Sequence, residues 1–158
     1  MPDLVTNVII AGLGGQGVLK ASDILADAAL RAGLDVKKSE IHGMSQRGGS
    51  VSSDVRFGPR VLSPMVPPGE ADYLVVLAPE EVEVNRASLR PGGVLISPDR
   101  IDRNSLGSPR SLNVALLGML STHLSVSEED WLAAIRANLP ERLHEMNLKA
   151  FAAGRQSK

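Results

Sequence analysis

Two glycine-rich stretches carry the residues whose types and spacing could do chemistry. The first, Gly12-Leu13-Gly14-Gly15-Gln16-Gly17, follows the apolar run Val8-Ile9-Ile10-Ala11. The second, His42-Gly43-Met44-Ser45-Gln46-Arg47-Gly48-Gly49-Ser50, begins about thirty residues later, after a second β-like run. Gly12, Gly14 and Gly17 fit the G-x-G-x-x-G turn between a strand and a helix. The chemistry such a turn does is phosphate binding. Its glycines let the backbone approach a pyrophosphate, and the helix that follows presents free N–H groups and a partial positive charge. The candidate contacts of this turn are Gly14, Gly15, Gln16 and Gly17, and the second stretch, with its basic surround, offers Ser45, Gln46, Arg47, Gly48 and Gly49. Lys38 is a nearby cation. Glycines in this pattern also serve close packing of a helix on a sheet.

Other chemistries are poorly provided for. A nicotinamide dinucleotide site wants an acidic residue at the end of the second strand for the ribose hydroxyls. Glu40 is near that place but follows Lys37 and Lys38, so the pattern is incomplete. The Gly-x4-Gly spacing of a P-loop needs Lys and Ser or Thr next, and here Val18 and Leu19 follow. Gly43-Met44-Ser45-Gln46-Arg47 approaches the nucleophile elbow G-x-S-x-G, but Arg47 stands where that strained turn needs a small residue. His42, His123 and His144 share no metal-ligand spacing. The Gly-Asp-Gly that commonly begins a thiamine diphosphate and magnesium site is missing.

The elements that must position these residues are legible. Asn7 to Ala11 reads as a buried strand, and Val18, Ala21, Leu25, Ala28 and Ala32 form a helical stripe closed by Gly33. Asp35 to Ser39 is a second strand. Val51, Ser53, Val55 and Phe57 alternate with Ser50, Ser52, Asp54 and Arg56, giving a third strand with unequal faces. The connection before it is too short for a parallel crossover, so that strand is expected to be antiparallel or at an edge. Ser63 to Gly69 is a proline-rich loop, Tyr73 to Leu77 a strand, Pro79 to Leu89 a short helix, Arg90 to Gly93 a turn and Val94 to Ser97 a strand. Pro98 to Arg110 is irregular, and helices follow over Ser111–His123, from a capping box at Ser127 to Asn138, and over Pro140–Phe151. The expected fold is a single α/β domain over residues 1–153. It is three-layered and Rossmann-like, with a mixed, mostly parallel sheet, helices on both faces and a frayed tail at 154–158.

Composition narrows the class. Seventeen basic residues against eighteen acidic leave no nucleic-acid footprint on the chain as a whole. Between Val36 and Arg60, however, Lys37, Lys38, Arg47, Arg56 and Arg60 outnumber Glu40 and Asp54, which suits either a solvated face or a phosphate site. With no cysteine the chain has no disulfide, no redox thiol and no thiolate ligand for an iron–sulfur cluster. No secretory signal and no membrane-length apolar run is evident, so the expected place is the cytoplasm.

The first glycine stretch, together with Lys37 to Val51, resembles the gamma module of 2-oxoacid:ferredoxin oxidoreductases, in particular the small subunit of indolepyruvate-type or related ketoacid enzymes. The likeness continues in Leu89-Arg90-Pro91-Gly92-Gly93-Val94 and Asn147-Leu148-Lys149-Ala150-Phe151 and so spans nearly the whole chain. The resemblance implies a subunit that is inactive alone and helps to bind coenzyme A. Partner subunits would carry thiamine diphosphate, magnesium and iron–sulfur clusters, and ferredoxin would be reached through them. A self-associating isolated chain is also expected. The alternatives are a small NAD(P)-binding Rossmann oxidoreductase and a non-catalytic nucleotide-sensing or structural subunit.

Overall fold

The computed structural model describes residues 4–42 and 49–157. Strand β1 (Thr6–Leu13) is buried on both faces from Asn7 to Gly12, as a central strand must be. It leads through the first glycine stretch into α1 (Val18–Arg31), which buries Val18, Ala21, Leu25 and Ala28 as expected, with Ile24 beside them. Gly33 closes that helix at φ +87°. Then come β2 (Asp35–His42), β3 (Ser50–Gly58), β4 (Ala71–Val76), α2 (Val82–Asn85), β5 (Leu89–Ile96), α3 (Leu112–Ser121), α4 (Glu128–Asn138) and α5 (His144–Gln156).

The strand order is β2-β3-β1-β4-β5. β3 is antiparallel to both neighbours and β1, β4 and β5 are mutually parallel, so four strands run one way and β3 the other. The expected reversal of β3 is present. It is not at an edge, however: it forms a hairpin with β2 and slots between β2 and β1, pairing from Thr6↔Phe57 to Leu13↔Ser50.

The two faces are covered unequally. Val8, Ile10, Val55, Phe57, Val75, Leu77 and Ile96 meet α1, α3, α4 and α5 in the main core, around Trp131 and Phe151. Ile9, Ala71, Leu74 and Val76 make a smaller core under Val66 of the proline-rich loop, with Val82 of α2 against it. Right-handed crossovers running in opposite directions from the middle of the sheet put α1 and α2 on opposite faces. The second layer is thin, because the helix expected over Pro79–Leu89 is a four-residue α2 between 3₁₀ turns at Pro79–Glu81 and Arg86–Ser88. The turn expected at Arg90–Gly93 is a bulge within β5, where pairing steps from Ala71↔Leu89 to Tyr73↔Val94 and Gly92 has φ +80°.

Pro98 to Arg110 becomes a chain of 3₁₀ turns leading into α3. Ser127 Oγ accepts the Asp130 N–H at 3.1 Å and starts α4 as its sequence suggests. The C-terminus corrects an expectation. α5 begins at His144, after a 3₁₀ turn at Glu141–Leu143, and continues to Gln156 instead of fraying from Gly154. The reason is close packing against α3. A Cβ on Gly154 would run into the Ala115 carbonyl, and one on Gly118 into the Phe151 carbonyl. Two facing glycines let the helix backbones touch, and that contact holds the last turn.

Candidate functional site

The first glycine stretch lies at the carboxyl end of β1, beside the carboxyl end of β4, where open α/β sheets bind ligands. The turn is braced from within. Gln16 Oε1 accepts the Leu13 N–H at 2.7 Å, and Gln16 Nε2 reaches the Leu77 carbonyl at 3.5 Å. Gln16, expected as a ligand contact, thus ties the turn to the end of β4. Gly15 (φ +90°) and Gly17 (φ +84°) both adopt the left-handed conformation that favours glycine. Around Gly15 there is open space where a side chain would be. Gly17 caps α1, whose first-turn N–H groups have no intrahelical acceptor and no acidic neighbour to occupy them.

The two glycine stretches meet. The Gly14 N–H donates to the Gly49 carbonyl at 2.9 Å, joining the exit of β1 to the start of β3. Ser45, Gln46, Arg47 and Gly48 lie outside the described residues, so of the second stretch Gly49 alone is placed among the site candidates. Gly49 is buried.

The glycine turn forms a ridge between two cavities. On one side, about 330 Å³ is bounded by the turn, Val18, Leu19, Lys20 and Val51. On the other, about 570 Å³ is bounded by Gly15, Gln16, Gly17, Leu77, Pro109, Arg110 and Leu112. Two cations therefore flank the turn: Lys20 in the first turn of α1, and Arg110 at the end of the irregular connection. Neither was a sequence candidate. Arg110 sits in a polar stretch with no motif, and no local signal brings it to the turn. Its arrival depends on Asn113, whose Nδ2 donates to the Gly17 carbonyl at 3.1 Å and docks the start of α3 on the start of α1.

Lys38 is placed differently from the expectation. Its ammonium lies 2.5 Å from Asp23 Oδ1 on α1 and 3.0 Å from Glu40 Oε2, and it borders neither cavity. Partial burial disfavours its charge, but the hydrogen bonds and negative charges of Asp23 and Glu40 outweigh that and hold the amine above its ordinary value. Its charge is thus engaged on the α1 face of β2. Glu40, the doubtful ribose carboxylate, is engaged with it. In addition β3 separates β2 from β1, so β2 lies two strand spacings, about 9.6 Å, from β1 rather than one. Both facts weigh against a nicotinamide dinucleotide site, which needs β2 next to β1.

Among the described residues no group of three His, Asp or Glu side chains is arranged to hold a metal, and no helix is long and apolar enough to cross a membrane. Fold and cleft together define an α/β protein with a glycine turn of the phosphate-binding pattern at the carboxyl edge of its sheet. Residues 7–104 and 97–157 match the pyruvate ferredoxin/flavodoxin oxidoreductase family, and the chain belongs to that family. It is 32% identical to the indolepyruvate oxidoreductase subunit IorB of Methanothermobacter thermautotrophicus, over 94% of this chain and 95% of the relative. It is 34% identical to IorB of Thermococcus kodakarensis, over 94% and 93%. The solved gamma subunit of a keto/oxoacid ferredoxin oxidoreductase from Geobacter sulfurreducens superposes with TM-score 0.81 at 26% identity, over 98% of this chain and 99% of that one. The chain is thus a gamma-type subunit of the 2-oxoacid oxidoreductase kind. The alignment to the Methanothermobacter subunit spans 187 positions against 158 residues here, so that relative carries residues with no counterpart in this chain. The two stretches of the family match overlap at 97–104, at the start of the connection from β5 to Arg110.

Proposed function

We propose that this chain contributes the coenzyme A side of a thiamine-dependent 2-oxoacid:ferredoxin oxidoreductase. The observation that carries the reading is the Gly14 N–H to Gly49 carbonyl bond. It brings both glycine stretches to one place, beside the open first turn of α1 and between Lys20 and Arg110. Coenzyme A offers a pyrophosphate and a 3′-phosphate. Backbone N–H groups at a helix start suit the first, and flexible or forked cations suit both.

In this reading the backbone of Gly14 to Gly17 approaches the pyrophosphate, with the open space over Gly15 as its entry. Arg110 and Lys20 supply the charge that Lys38 gives to Asp23 and Glu40, and Arg47 adds a guanidinium fork. Ser45, Gln46 and Gly48 contact the ligand or a neighbouring subunit. The reaction is oxidative decarboxylation of a 2-oxoacid to an acyl-CoA with reduction of ferredoxin. Indolepyruvate or another aryl or branched-chain ketoacid is the substrate, following the names of the relatives. The residues of this chain do not fit thiamine diphosphate, magnesium or an iron–sulfur cluster: it has no cysteine, no Gly-Asp-Gly and no described cluster of metal ligands. Those groups belong to partner subunits in the cytoplasm, and the isolated chain is inactive.

Titration of the assembled complex with coenzyme A and with NADH, followed by calorimetry, tests the reading. Saturable coenzyme A binding that Arg110→Ala weakens is the expected result. Tight NADH binding with no response to coenzyme A would overturn it.

A further inference from the structure

The thin face of the sheet holds another hollow, which shares only Val51 with the cavities flanking the turn. About 180 Å³ is enclosed between β3 and α2 by Ile41, Ser50, Val51, Ser52, Glu81, Val84 and Asn85. Period-two alternation puts Lys37, Ser39 and Ile41 of β2 on this face, opposite the Lys38 side chain that meets α1. Nothing described covers them: Lys37 and Ile41 are exposed.

Glu81 is the unusual member. The residue is only 6% exposed. Its Oε1 is fully buried, and no described residue donates a hydrogen bond to it. Asn85, one helical turn away, donates instead to the Glu81 backbone carbonyl at 2.8 Å. A carboxylate taken out of water is ordinarily matched by a cation or by several donors. Here the polar side chains around the hollow are Ser50, Ser52 and Asn85, and no described cation borders it. Its rim is apolar and open, with Ile41 46% and Val84 65% exposed. An acid with one buried, unmatched oxygen at the bottom and exposed aliphatic side chains at the top form the complement of a long basic side chain. The methylene stem of such a residue packs on the rim while its charged head reaches the acid.

We propose that this hollow is a docking point for a Lys or Arg side chain of a partner subunit, with Glu81 as counter-charge and Ile41 and Val84 as the apolar collar. The proposal rests on the reading of this chain as one subunit of a larger complex. It concerns assembly, and it uses none of the residues assigned to coenzyme A. A desolvated charge pair at the centre of a contact carries far more of the binding than pairs at its margin.

The test uses the complex reconstituted from this chain and the subunits that copurify with it. Glu81→Gln keeps the shape and removes the charge, and Val84→Lys sets a cation at an exposed rim position, where it repels the docking side chain. Each is expected to weaken association with the partner subunits at least tenfold, by titration at fixed salt. Coenzyme A binding by whatever complex is driven together at high concentration should be unchanged, and neither variant should lower the melting of the isolated chain. If the wild-type complex forms and both variants assemble with wild-type affinity, the docking proposal fails while the subunit reading stands. If the wild-type chain joins no partner at all, both fail.

Discussion

Asn113 donates a hydrogen bond from Nδ2 to the Gly17 carbonyl at 3.1 Å, across 96 residues of chain. The same nitrogen would lie 2.5 Å from a Cβ on Gly17. The start of α3 is thus seated where a side chain on the glycine turn would be, and this seat brings Arg110 to the cleft.

Gly17→Ala and Gly15→Ala should separate folding from binding. Left-handed backbone costs a non-glycine residue about 1–2 kcal/mol, and Gly17→Ala also displaces Asn113, losing about 1 kcal/mol of hydrogen bond. The sum is about 2–3 kcal/mol, a fall in Tm of about 4–12 °C for a domain this size. Gly15→Ala bears the same left-handed cost of about 1–2 kcal/mol but meets nothing within 4 Å, so it should melt between Gly17→Ala and wild type. Its new methyl occupies the space over the turn, so coenzyme A affinity should fall at least tenfold (about 1.4 kcal/mol). Thermal melts and calorimetry on both variants check the contrast.

Arg110→Ala should weaken coenzyme A and leave the fold alone. The guanidinium makes no hydrogen bond or ion pair to a described residue, and the Arg110 bond to Ser108 Oγ is made by the backbone N–H. A lost charge-assisted bond is worth about 1.5–3 kcal/mol, which is about a 10- to 150-fold rise in Kd. Melting should shift by less than about 1 °C. An unchanged Kd in the assembled complex would remove Arg110 from the site.

Lys38→Met should do the opposite. Coenzyme A affinity should stay within about twofold, because Lys38 is held by Asp23 and Glu40. The stability lost should be below about 1 kcal/mol, as for other partly exposed pairs. The sign with pH follows from the raised amine. The stabilisation is fully present below the ordinary lysine value of 10.5 and is lost as pH rises through the higher folded value. Wild type and variant should therefore converge in stability at strongly alkaline pH.

Asp54 gives a second pH signature. It is buried on β3 and accepts the Val66 N–H at 2.9 Å, which ties the proline-rich loop over the sheet. Burial raises its carboxyl above the ordinary 3.8, against smaller opposing pulls from the Val66 hydrogen bond and the Arg56 charge. The folded state therefore holds this proton more tightly than the unfolded state. Its contribution to stability declines as pH rises from 3.8 through the folded value and is constant above it. Asp54→Asn keeps an acceptor for Val66 and should lack that decline. Urea melts of both proteins across this window check it, and a pH-independent difference would contradict it.

Helix packing at the C-terminus should be intolerant of a single methyl. Gly154→Ala places a carbon against the Ala115 carbonyl where α5 crosses α3. Overpacking of this kind costs about 1–3 kcal/mol or more. Removal of residues 154–158 should also destabilise the domain rather than leave it unchanged. Denaturant melts of both variants measure this.

The local patterns were legible because each reports a period or a turn. Val8 to Ala11 announced a buried strand, Ser127 a helix start, and Val51 to Phe57 a strand with unequal faces. The connection before β3, too short for a crossover, was enough to predict its reversal. Its seat between β2 and β1 is not legible, since strand order is set by pairing between distant segments and not by any local stretch. The run of α5 past Gly154 is not legible because the last residues of a chain are ordinarily frayed, whereas here Gly154 lets two helices touch. In the site, the glycine turns were visible as motifs. Lys20 and Arg110 were not, because a lone cation in a helix or a polar loop has no spacing to betray it.

The sequence by itself determined most of the elements, the glycine-turn motif and the family, because these follow from backbone preference, hydrophobic period and motif. Only the tertiary structure decided which distant residues share a space. It joined Gly14 to Gly49, carried Arg110 to the turn through Asn113, and took Lys38 away by pairing it with Asp23. The physical reason is that such meetings are set by chain topology and by competition among charges for partners, and neither is written in any local stretch of residues.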